Sequence, residues 1–118
     1  MFEAEDIRDW REHDVVDGGG SKVEALEAIY FDTATEQPVF ATVKVGIIGR
    51  HRLVLVPLAG ATVAPKHVRV RAEKKLAMDA PSIDTDGELA AADEPVIFQQ
   101  YGLRYQPGVS GERRLGRR

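Results

Sequence analysis

No cysteine occurs among the 118 residues, which removes disulfides, thiol nucleophiles and thiolate metal sites together and leaves the interior to be held by packing. Asparagine is also absent, and 11 arginines stand against 5 lysines, a bias attributable to a GC-rich bacterial genome that carries no mechanism. No apolar run approaches a membrane span, and the opening MFEAEDIRDWREHD lacks the basic start and apolar core of a secretory signal. A cytoplasmic location without membrane insertion is the resulting expectation. Aromatic residues are sparse, at 7% of the chain. Phe40 is the only one between Phe31 and Phe98, so the middle of the chain is poorly supplied for stacking on bases.

What is present suits a folded domain: 43% hydrophobic and 30% charged residues in a chain of ordinary domain length. The net charge of −3 argues against a protein whose main task is holding a nucleic-acid backbone. Its distribution is uneven. Residues 1–17 carry seven acids against Arg8 and Arg11, and residues 79–94 carry six acids and no base. Residues 44–75 carry eight Lys or Arg against Glu73 alone. Solvated, mutually compensating faces account for this more simply than a dedicated patch.

Residues 1–12 read as a short amphipathic helix, with Phe2, Ile7 and Trp10 on one stripe. Gly18 to Gly20 form a turn. They do not fit a phosphate-binding loop, because Lys22 follows too closely and a strand-like segment comes next. Lys22 to Phe31 and Val39 to Val45 are rich in β-branched and aromatic residues and are joined by the polar DTATEQP, a hairpin pattern. In PVFATVKV the alternation assigns Val39, Ala41, Val43 and Val45 to the core and Phe40, Thr42 and Lys44 to a wetter face. Leu53 to Leu58 is an unbroken apolar run, as expected of a strand covered on both sides. HVRVRA alternates with Val68 and Val70 inward and Arg69 and Arg71 outward. The expected fold is therefore mainly β: a small antiparallel barrel of about five or six strands over residues 13–78, with short helices only near the N- and C-terminal ends. Val43, Val45, Val54, Val56, Val68 and Val70 should be buried in it.

After Leu76, DAPSIDTDGELAAADEP reads as an exposed acidic connector, and ADEPVIFQQYGL as a closing helix with Asp93 at its start, Pro95 in its first turn and Gly102 at its stop. QPGVSGERRLGRR has no periodicity and reads as a flexible basic tail. The organisation is thus a helix over 1–12, a barrel over 13–83, a connector and helix over 84–106, and a tail over 107–118.

The string VVDGGGSKVEALEAIYFDTATEQPVFATVKVG, followed by LVLVPLAGATV and HVRVRAEKKLAMDAPSI, resembles the PRC-barrel superfamily. That superfamily includes the cytoplasmic part of the photosynthetic reaction-centre H subunit and the C-terminal domain of the ribosome maturation factor. The resemblance covers roughly residues 13–83 and suggests a stand-alone bacterial member. It implies a small barrel used as an adaptor, with no shared chemistry and no cofactor. Glu24 stands where the family commonly has glycine, which puts a β-bulge or close backbone approach at that place in the first strand in question.

Chemistry finds little support in the residues. His13, His51 and His67 have no ligand spacing, Asp84 and Asp86 lack the rest of a calcium loop, and Ser21, Ser82 and Ser110 lack a nucleophile context. The expectation is a non-catalytic adaptor with no metal and no cofactor, acting on a protein partner or on a second copy of itself. Phe98, Tyr101 and Tyr105 with Arg113 and Arg114 are the candidate partner surface, having residue types that dominate interfaces; packing on the chain's own barrel is their simpler use. Arg50, Arg52, Lys66, Arg69 and Arg71, with Lys74 and Lys75 beside them, are the candidate basic face. They carry the alternative of an RNA- or ribosome-associated factor. Residues 93–105 hold too much apolar surface to stay solvated, and must dock on their own barrel or, by a slight preference for want of sheet surface, on that of a second copy in a two-fold exchange.

Overall fold

The computed structural model describes residues 13–47, 50–64, 66–83, 89–105 and 115–117. The helix expected over 1–12 lies outside them. The strands are β1 (Asp14–Val16), β2 (Lys22–Asp32), β3 (Pro38–Ile47), β4 (Arg50–Pro57), β5 (Thr62–Val63), β6 (His67–Arg69), β7 (Ser82–Ile83) and β8 (Leu115–Arg117). Among the described residues two short α-helices accompany them, α1 (Lys74–Met78) and α2 (Glu94–Gln100). Six strands therefore fall between residues 14 and 69. The fold is mainly β.

The strands join in the order β5-β6-β1-β2-β3-β4-β7, with β8 paired to β2. This order has two ends. The sheet is open rather than closed into a barrel, and the expectation of an all-antiparallel arrangement also fails, because β1 and β6 run parallel. The physical reason lies at the edges: β5 and β7 are two residues each, too short to carry a continuous ladder from one end of the sheet to the other. A helix spans the opening instead. The amide of Lys74, first residue of α1, donates to Asp17 Oδ2 at 3.1 Å, and the carbonyl of Met78, its last, accepts from Arg52 Nη2 at 2.8 Å. Asp17 follows β1 and Arg52 lies on β4, so α1 ties one side of the sheet to the other and inserts Ala77 into the inner core. Helical structure is thus not confined to the chain ends.

Inside the curved sheet all six valines expected there are buried, none more than 2% exposed. They pack with Val15, Val23, Leu26, Ile29, Phe31, Ala41, Leu58 and Ala77. Three bulges curve β2 and β3. Pairing with β1 skips Val23, pairing of β2 with β3 skips Glu27, and on β3 it skips Val39. The first shows that Glu24, in place of glycine, leaves a bulge next to it intact. The third breaks the simple alternation: Val39 packs on the opposite face from Ala41 and Val43.

That opposite face is not the wetter one. Phe40 and Thr42 are both fully buried, and of the three residues assigned to solvent only Lys44 is exposed. A second apolar cluster of Tyr30, Phe40, Leu55, Leu89, Ile97 and Leu115 covers the outside of β2, β3 and β4. β4 accordingly contributes to both cores, Val54 and Val56 inward and Leu55 outward, as its unbroken apolar run requires. Thr42 satisfies its hydroxyl by donating to Glu27 Oε2 at 2.6 Å.

Candidate interaction surfaces

The outer cluster is built by the segment after β7. Leu89 is buried, a 3-10 turn over Ala91–Asp93 leads into α2, and Pro95 occupies the first turn, where its missing N–H costs no intrahelical bond. Gly102 ends the helix at φ 66. Ile97 is buried, and Phe98 lies edge-on to Phe40 with ring centroids 5.2 Å apart. Tyr105 meets Phe98 edge-on at 5.0 Å, and Tyr101 sits 6.4 Å from Phe40 while its hydroxyl donates to the Leu55 carbonyl at 2.6 Å. Burial pushes the Tyr101 phenol well above its ordinary range. Residues 93–105 thus lie on the chain's own sheet. Phe98, Tyr101 and Tyr105 are half-buried there, and Arg113 and Arg114 lie outside the described residues.

Exposed apolar surface remains beside them. Val96 on α2 is 50% exposed and Leu76 on α1 is 40% exposed. Gln100, one turn after Val96 on the same side of α2, donates from Nε2 to the Leu76 carbonyl at 3.2 Å. The two helices therefore border one another with an unburied apolar side chain on each. Neither stands out in the sequence: Leu76 lies in a five-residue helix too short to show a period, and Val96 is one of the apolar residues of 93–105 expected to dock.

Glu94, at the start of α2, is wholly buried. Its Oε1 accepts from the Tyr105 hydroxyl at 2.6 Å and its Oε2 from the Leu115 amide at 2.8 Å. Leu115 opens β8, which pairs antiparallel to the end of β2 with Tyr30 opposite Arg117, Phe31 opposite Gly116 and Asp32 opposite Leu115. Three residues of the segment read as a flexible tail are therefore a strand with a buried leucine.

The candidate basic residues are spread along the sheet order. Arg52 is half-buried and committed to Met78, and Arg50 begins β4, four places along the sheet order from β6. Lys66, Arg69 and Arg71 are exposed near the other end of the sheet. Arg69 Nη1 lies 3.4 Å from the Gly18 carbonyl, and Arg71 lies across Gly60, where a Cβ would stand 2.4 Å from its Cδ. The glycine turn itself is organised by Asp17, whose Oδ1 accepts from the amides of Gly19 at 3.0 Å and Ser21 at 2.8 Å. Together with the Lys74 bond, these hold the Asp17 carboxyl below its ordinary range, Ser21 contributing most.

A group lowered in the folded state stabilises fully above its unfolded value and loses that contribution as pH falls through the folded value. Asp17→Asn should therefore cost stability at neutral pH, and the wild-type advantage should begin to shrink near pH 3.8, the ordinary carboxyl value, and be lost as pH falls through the lower folded value. Urea titrations of both proteins at a series of pH values measure this; a difference that grows toward acid would contradict the assignment.

Among the described residues no cluster of His, Asp or Glu is placed to hold a metal. No helix among them is long and apolar enough to cross a membrane. An open depression of about 490 Å³ lies between Gln37–Val39 and Leu58–Ala61, and Gln37 is its only polar side chain. The comparison with curated proteins gives no match. The family model of the PRC-barrel domain matches residues 2–77, more than half of the chain, and the chain belongs to that family. The match takes in β1 to β6 and all but the last residue of α1, and leaves the outer layer of α2 and β8 beyond it.

Proposed function

We propose that this PRC-barrel chain is a non-catalytic, cytoplasmic adaptor whose α1–α2 face docks on a protein, including a second copy of itself. The observation that carries the reading is the pair of exposed apolar side chains, Leu76 and Val96, on two helices tied by the Gln100 bond. Exposed apolar groups at the border of two elements gain from being covered, and a polar surround fixes what covers them. Sedimentation velocity over a range of protein concentrations is the test. Self-association that is lost in Leu76→Glu and Val96→Glu is the expected result, with stability changed by no more than about 0.5 kcal/mol because both positions are exposed. A chain that is monomeric throughout, and whose variants behave as wild type, removes this reading.

Lys66, Arg69 and Arg71 support a second reading, an RNA-associated factor contacting phosphates beside the glycine turn. The net charge of −3 and the scarcity of aromatics weigh against it. Submicromolar binding of structured RNA at physiological salt, weakened by Arg69→Ala and falling steeply as salt rises, would put it first.

A further inference from the structure

We propose that the slot between the outer edge of β2 and Glu94 is a peptide-binding site that takes the C-terminal segment of a second copy of this chain. The proposal rests on the interaction reading above and names a further surface for it. Three features make the slot specific. The edge of β2 at Tyr30–Asp32 offers a ladder to an extended segment. The Glu94 Oε2 receives the first amide of that segment at 2.8 Å, at a position closed to water. The outer core of Tyr30, Phe40, Leu89 and Ile97 accepts one leucine, leaving Leu115 without exposure. An extended segment that opens on a leucine followed by glycine is the chemistry that fits.

The occupant seen is the chain's own Leu115–Arg117, held by a three-residue strand and a single apolar anchor. Residues 106–114 connect it to Tyr105, so nine residues of tether, rather than a large interface, favour the copy in cis. The contacts are the same whichever copy supplies them. Exchange therefore changes only the chain connection, and done reciprocally it gives a closed two-fold pair. The rest of the C-terminal layer, α2 included, stays on its own sheet through the Tyr101 and Phe98 contacts.

The test uses the full chain carrying Leu115→Asp, which empties the slot, and a fluorescent peptide of residues 111–118. Saturable binding is expected, at least about tenfold tighter than to the wild-type chain, whose own segment competes from the tether. It should be lost when the peptide itself carries Leu115→Asp and weakened when the protein also carries Glu94→Gln. Equal binding of the altered and unaltered peptides, or none, overturns the proposal. Should the Leu115→Asp chain not fold, the wild-type chain labelled with 15N decides. An excess of unlabelled peptide should move the labelled Leu115 amide to a solvent-exposed resonance, and an amide that does not respond overturns the proposal. A wild-type dimer that survives Leu115→Asp without peptide binding, yet is lost in Val96→Glu, would remove the slot and leave the adaptor reading standing.

Discussion

Phe40→Ala should lower the unfolding free energy by about 3–5 kcal/mol, the cost of emptying a large aromatic site from a closed core. Phe40 has no exposure, and it packs against Phe98, Tyr101 and the outer cluster of Leu55, Leu89, Ile97 and Leu115. Lys44 lies on the same side of β3 and is exposed, so Lys44→Ala should stay within about 0.5 kcal/mol. The contrast between the two tests the outer layer directly. If α2 did not lie on the sheet, Phe40 would be a surface aromatic and the substitutions would differ little. Thermal unfolding followed by circular dichroism should separate them by on the order of 15 °C. Equal midpoints would show that the second core carries no stability.

Alternation in PVFATVKV correctly separates two faces of β3, yet it says nothing of what lies over either. The cover for Phe40 comes from Phe98 and Tyr101, some sixty residues along the chain. Evidence for that cover was nevertheless present in the neighbouring strand. Leu53–Leu58 is apolar without a break, which requires covered surface on both sides of β4, and β3 pairs with β4 along its whole length. The outer face of β3 could then hardly be wet. An aromatic at position 40 was a second sign.

Other features leave no trace at the level of pattern. The open sheet follows from two-residue edge strands, which have no period to read, and α1 is barely more than one turn. Its role as a strap depends on Asp17 and Arg52, which look from the sequence like a turn acid and a member of a basic face. Arg52 and Glu94 make the same point about charged residues. Each reads by its sign as part of a basic middle or an acidic connector, whereas Arg52 bonds the Met78 carbonyl and Glu94 accepts from both Tyr105 and Leu115.

Glu94→Ala should cost about 2–4 kcal/mol, because it removes the acceptor for two donors in a place without water, the Tyr105 hydroxyl and the Leu115 amide. Glu94→Gln should cost less, since its amide oxygen can still serve one of them. The way this energy is shared identifies what the carboxyl group is for. Leu115→Pro deletes the N–H donor and disrupts β8, so in that background Glu94 keeps only Tyr105 among these two partners. Glu94→Ala should then cost at least about 0.5–1 kcal/mol less than in the wild-type chain, a coupling of the size found for residues in direct contact. Urea unfolding of the four proteins of this cycle gives the figure. Effects that simply add would mean that Glu94 supports α2 and Tyr105 alone, and that β8 is held only by its leucine and its pairing with Tyr30–Asp32. A clear coupling would show one buried carboxyl group fastening the last strand to the helix that covers the outer face.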